Sequence, residues 1–78
     1  MSAEILIVDD EPEIADLVET YLKNEGYCVH KFGMAKEALA YAGDQKLDLA
    51  ILDVMLPDMD GFTLCQKLRE QYLFPILM

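Results

Sequence analysis

Basic residues are scarce in this chain: six lysines and arginines stand against fifteen aspartates and glutamates, giving a net charge of −9. A phosphate backbone would be repelled by such a surface, and so would an anionic membrane, so this segment is expected to bind neither nucleic acid nor lipid. Cysteine is nearly absent as well. Cys28 and Cys65 cannot make a disulfide framework, and no Cys/His cluster suggests zinc. Both read as small core hydrophobes in a reducing, cytoplasmic setting. No basic segment opens the chain, and its first apolar run is far too short for a signal peptide or a membrane span. The lone histidine, His30, has no ligand partner in the sequence and reads as structural.

Apolar residues are plentiful, at 54% of the 78 positions, which argues against intrinsic disorder. The length allows one small domain, of a size that buries only about 60% of its unfolded surface.

Residues 4–8 read as a fully buried strand, β-branched and apolar and ending in acid at Asp9 and Asp10. Asp10-Glu11-Pro12-Glu13 then starts a helix, with Asp10 placed to cap it and Pro12 in the first turn. Ile14, Leu17, Val18, Tyr21 and Leu22 form a stripe expected to face a sheet, and Gly26 supplies a left-handed end. Tyr27 to Phe32 is a strand of mixed polarity, suited to a sheet edge. Residues 34–43 form a short helix with Ala35, Ala38, Leu39 and Ala42 inward, closed by Gly43. Leu47 to Asp53 is a third strand, and a Pro-containing loop leads from it into a helix with Leu64, Cys65 and Leu68 inward. Phe74-Pro75-Ile76-Leu77-Met78 begins a fourth strand. Such alternation predicts right-handed βαβ units and a parallel sheet. Tyr21, Tyr27, Phe62 and Tyr72 read as packing residues. The chain stops on an apolar pentapeptide, so these residues are expected to be the front part of a larger α/β domain, incomplete at its C-terminal side.

Asp9, Asp10 and Asp53 end two apolar strands that such a sheet would set side by side, at the edge where ligands collect in open α/β folds. Two carboxylates about 4 Å apart repel by roughly 4 kcal/mol at an effective dielectric near about 20. Mg2+, a small hard cation that takes oxygen ligands, would relieve that repulsion. Asp53 would then be placed to attack phosphorus as a nucleophile and form an acyl phosphate. Each acid alone has a plainer reading: Asp10 as a helix cap, Asp9 as a solvated strand end, Asp53 as a turn-maker. Three at the ends of two apolar strands are hard to explain by turns alone.

Ile5-Leu6-Ile7-Val8-Asp9-Asp10-Glu11, together with Leu49-Ala50-Ile51-Leu52-Asp53-Val54-Met55-Leu56-Pro57-Asp58-Met59-Asp60-Gly61, resembles the receiver domain of two-component response regulators. The likeness covers the whole chain, and the helix after the first strand and the closing Phe-Pro-Ile-Leu-Met resemble the subfamily with a winged-helix DNA-binding domain, in particular regulators of the vancomycin-resistance type. The resemblance implies a flavodoxin-like (CheY-like) doubly wound sheet, of which about four strands and three helices are present. It implies that Asp53 is the phosphoacceptor, taking a phosphoryl group from a sensor histidine kinase. Asp10 would be the principal Mg2+ carboxylate, with Asp9 supporting it, Asp53 sharing the ion and the backbone carbonyl of Met55 adding an oxygen. Pro57 and Gly61 would shape the loop, and Glu13, Asp16 and Glu19 would lie at the rim of a kinase contact. The full-length protein would control transcription through a DNA-binding domain outside these residues.

The Thr or Ser after the fourth strand, the Lys after the fifth and the aromatic switch residue of such domains would all fall beyond Met78. The first helix would then lack a neighbour and the fourth strand would be an open edge, so a dimer or higher oligomer is expected, formed by exchange of elements. An aspartyl-phosphate hydrolase of similar fold is the competing reading. It would need a second acid two residues after the nucleophile, where Met55 stands, so a signalling domain rather than an enzyme is expected. A flavin binder would need a Gly- and hydroxyl-rich loop in place of Asp9-Asp10-Glu11-Pro12. Asp58 and Asp60 fall short of a calcium loop, because Leu56 and Lys67 occupy positions that must be acidic.

Overall fold

The computed structural model describes residues 3–78. They form β1 (Glu4–Val8), α1 (Pro12–Asn24), β2 (Cys28–Phe32), α2 (Ala35–Asp44), β3 (Leu49–Leu52), α3 (Gly61–Gln71) and β4 (Ile76–Leu77). All strand pairs are parallel, and the sheet order is β2-β1-β3-β4. The doubly wound α/β expectation therefore holds. β1 is central, with neighbours on both sides, and its Ile5, Leu6, Ile7 and Val8 are all buried. Alternation along the strand divides them between two faces. Leu6 and Val8 join Ala50 and Leu52 beneath the alanines of α2 and Leu64, Cys65 and Leu68 of α3. Ile5 and Ile7 lie on the face that α1 takes, with its Ala15. Leu6, Leu64 and Leu68 are fully buried, and each contributes about 1.5–3 kcal/mol of apolar transfer.

Several local expectations are corrected. The sheet receives the line Ala15, Val18, Leu22 of α1, while Ile14, Leu17 and Tyr21 are 47%, 65% and 71% exposed. The two lines lie about 100° apart on the helix, so the apolar stripe is wider than the face the sheet accepts. Glu11, not Asp10, is the residue before the first turn of α1, and its side chain makes no cap. Asp9 shapes this corner instead, its Oδ1 accepting the Glu11 amide at 2.9 Å. Cys28 is exposed because β2 is an edge strand; Cys65 is buried as expected. Gly43 lies inside α2, which runs to Asp44. Tyr21, Tyr27 and Phe62 are exposed, and of the four rings named as packing residues only Tyr72 packs against the core, stacked on Phe74 at 5.6 Å. β3 stops at Leu52, one residue short of Asp53, and β4 is confined to Ile76–Leu77.

His30 joins three elements. Its Nε2 bonds Glu4 Oε1 of β1 at 2.7 Å, and its Nδ1 meets the Tyr41 hydroxyl of α2 at 2.9 Å. The His30 bond holds the Glu4 carboxyl below the ordinary 4.5. Bonds from Lys31 do the same for Glu19, and amide bonds from the Lys36 and Thr63 ends do so for Asp58 and Asp60. Each of these carboxylates binds a proton less readily folded than unfolded, so acid favours the unfolded chain. Stability is expected to be fully present above the unfolded carboxylate range and to fall as pH drops through the lower folded values. Glu4→Gln should flatten that acid slope by lowering the melting temperature near neutrality while leaving it little changed in acid, where the parent has already lost this contribution. A slope identical to the parent's in a pH series of thermal melts would exclude the Glu4 contribution.

Candidate functional site

Strand register builds the site. Val8 pairs with Leu52, so the residues that follow, Asp9 and Asp53, leave the sheet side by side. The Asp53 amide donates to the Val8 carbonyl at 2.8 Å, and the Asp9 amide donates to the Phe32 carbonyl at 3.0 Å. Asp10 follows at the corner into α1. One carboxylate oxygen from each of Asp9, Asp10 and Asp53 lies within 4.8 Å of the others. Asp9 and Asp53 are half-buried and Asp10 is exposed. An all-oxygen, three-carboxylate set at this spacing suits a small hard cation and offers nothing to a soft metal. Asp9 spends one oxygen on the Glu11 amide, which orients its carboxylate. A groove of about 210 Å³ lined by Asp9, Asp10, Pro12, Ala15 and Phe32 adjoins the acids.

The loop after β3 is held at several points. Gly61 is buried, and a Cβ placed there would sit 2.1 Å from the Asp53 carbonyl oxygen. Its amide donates to the Val54 carbonyl at 2.6 Å. Asp60 caps α3, accepting the Thr63 amide and hydroxyl, each at 2.9 Å. Met55 bridges to Asp60, and its amide reaches Asp53 Oδ1 at a long 3.4 Å. Asp58 crosses to α2, its two oxygens accepting the Ala35 and Lys36 amides at 2.8 and 2.9 Å. Asp9, Asp10 and Asp53, singled out from the sequence, thus come together at one edge of the sheet, and Met55 lies in the loop that follows Asp53. Sequence reasoning missed the roles of Asp60 and Asp58. An acid three residues before Thr63 at a helix start signals the first. The second spans 23 residues and carries no local signal.

On α1, Asp16 and Glu19 are both paired with Lys31 of β2, so they do not stand as isolated rim charges. Exposed pairs of this kind add little stability.

The family model for the response regulator receiver domain matches residues 5–78. This chain belongs to that family. The receiver is 60% identical over 78 residues to the regulatory protein VanR of Enterococcus faecium, covering 100% of this chain and 34% of VanR. It is 48% identical over 79 residues to the alkaline phosphatase synthesis transcriptional regulatory protein PhoP of Bacillus subtilis, covering all of this chain (100%) and 33% of PhoP. The receiver therefore spans about a third of the length of these curated relatives. Among solved structures, the chemotaxis response regulator CheY4 of Vibrio cholerae matches with a TM-score of 0.96 at 37% identity, over 100% of this chain and 68% of that one. The response regulator TrrA of Thermotoga maritima, in complex with Mg2+ and BeF, matches at 0.85 and 35% identity, over 91% and 61% of the two chains. A complex of the histidine kinase ThkA with TrrA matches at 0.90 and 34%, over 97% and 66%. The CheY-like fold is thereby established. Among the described residues no helix is long and apolar enough to cross a membrane.

Proposed function

We propose that this receiver accepts a phosphoryl group on Asp53 from the phosphohistidine of a sensor kinase, with Mg2+ held by Asp9, Asp10, Asp53 and the Met55 backbone carbonyl. The observation that carries this reading is the convergence of three carboxylates within 4.8 Å at the ends of two adjacent strands. When bound by these residues, Mg2+ would supply positive charge against the phosphoryl oxygens. A carboxylate nucleophile has no proton to lose as it attacks, so this chemistry needs no general base. Its oxygen forms a bond to phosphorus in line with the breaking P–N bond, and the kinase imidazole leaves. The register of β1 with β3 orients Asp53, and the Asp9 bond to the Glu11 amide fixes the first loop.

The exposed Ile14, Leu17 and Tyr21 lie on α1, which starts beside the acids, and would form the apolar part of the kinase contact with Glu13 at its edge. The kinase complex of TrrA supports a partner of this type. In the full-length, cytoplasmic protein the phosphorylated receiver would control transcription, as the name of PhoP indicates for that relative.

Beryllofluoride with Mg2+ tests the assignment. Fluorine NMR is expected to report a bound fluoride in the parent, lost with chelator and lost in Asp53→Asn. A bound signal that survives Asp53→Asn would overturn it.

A further inference from the structure

We propose that Asp58 is a positioning residue for the acidic site: its carboxylate ties the β3–α3 loop to the first turn of α2, so that cation binding and order in α2 are coupled. The inference rests on the Mg2+ reading above and deepens it.

α2 begins without a cap of its own. Met34 precedes it in an extended conformation and makes no side-chain bond to the first turn. Amides at a helix start need acceptors. Asp58 provides them from 22 and 23 residues away, one oxygen to Ala35 and the other to Lys36. Negative charge at this end also complements the helix dipole. Among the described residues no other hydrogen bond joins residues 53–60 to α2.

The same stretch of chain touches the other side of the site. Phe32 accepts the Asp9 amide at 3.0 Å, and Gly33 lies close to the Asp9 carbonyl oxygen, 4.0 Å from where a Cβ would sit. Residues 32–36 therefore form a strap, fastened to Asp9 at one end and to the Asp53 loop through Asp58 at the other. Asp58 lies outside the three-acid group, and its two oxygens accept the α2 amides. Its effect is to restrict the loop that follows Asp53 and contains Met55, and pre-organised ligands bind cations more tightly. Coupling is reciprocal: an ion that orders the loop must also order the first turn of α2.

The test joins Mg2+ titration by calorimetry with amide exchange at Ala35 and Lys36. In the parent, Mg2+ is expected to slow exchange at both amides more than at amides in the middle of α1. Asp58→Ala should weaken Mg2+ binding on the order of tenfold, in line with other supporting partners of metal ligands. It should also remove the Mg2+ dependence of the Ala35 and Lys36 amides. Asp58→Asn keeps one accepting oxygen and should recover part of both effects; it also serves if the alanine variant does not fold. His30→Ala, which loosens the fold away from the acids, should leave Mg2+ affinity at the parental value. Parental affinity in Asp58→Ala, with binding still lost in Asp53→Asn, overturns the positioning role and leaves the metal reading intact. Affinity falling equally in Asp58→Ala and His30→Ala overturns it too, by reducing Asp58 to general stability. Absence of Mg2+ binding in the parent, or binding indifferent to Asp53→Asn, defeats the metal reading itself.

Discussion

Gly61→Ala is expected to destabilise the receiver by about 3 kcal/mol or more, at the upper end of the range for forcing atoms into a packed site. The new Cβ would lie 2.1 Å from the Asp53 carbonyl oxygen, 2.8 Å from the Val54 Cα and 2.9 Å from the Asp53 carbonyl carbon. All three are backbone atoms, so no flexible side chain can swing aside. Relief requires the start of α3 to retreat from the end of β3. That retreat breaks the 2.6 Å bond from the Gly61 amide to Val54 and displaces the residue that carries the candidate nucleophile. Thermal unfolding should shift down by on the order of 10–20 °C for a chain of this size. Mg2+ binding should weaken in parallel. Gly26→Ala makes the contrast. Gly26 has φ +91° and open space where its Cβ would go, so that variant meets only the left-handed penalty of about 1–2 kcal/mol. If the two variants melt together, close approach at Gly61 is not what demands glycine there.

The contrast between those glycines also marks what the sequence could and could not convey. Strand and helix alternation, the central place of Ile5-Leu6-Ile7-Val8 and the meeting of Asp9, Asp10 and Asp53 follow from short patterns of apolarity with acids at strand ends. Gly26 too is legible, because a helix followed by Glu-Gly signals a left-handed end. Gly61 was readable only as a loop residue; the contact that requires it lies with Asp53, eight positions earlier, and depends on how α3 returns to the sheet. Ile14 and Ala15 illustrate a second limit. Periodicity identifies an apolar surface on α1, yet which of its two neighbouring lines meets the sheet is decided by how closely the small Ala15 lets the helix approach. Cys28 failed for a related reason: apolarity suggested a core position, but an edge strand leaves its first residue exposed. Asp58 was invisible because its partners are amides of a helix far along the chain.

Asp10→Asn should have opposite consequences with and without a divalent ion, and that inversion discriminates a metal site from a chance gathering of acids. Without metal, three carboxylates within 4.8 Å repel one another. A pair at that spacing costs roughly 1 kcal/mol in water and about 3 kcal/mol at a dielectric near about 20. Asp10 is exposed, so the lower figure applies, and removing its charge should raise the melting temperature by several degrees at low salt. The gain should shrink as salt is added, because exposed charges are screened. With Mg2+ the order reverses. The parent gains about 2.7 kcal/mol when the ion stands at a hundred times its dissociation constant, whereas the variant, lacking a carboxylate of the set, gains far less at the same concentration. The two melting curves therefore cross as Mg2+ is raised. The alternative role for Asp10, as a helix cap, predicts a different pattern: a loss of stability in Asp10→Ala, with or without metal. The absence of any Asp10 bond to the first turn of α1, whose preceding residue is Glu11, weighs against that role. Curves that fail to cross, with the variant less stable throughout, would leave these acids as strand-end charges and remove the electrostatic basis for phosphoryl transfer to Asp53.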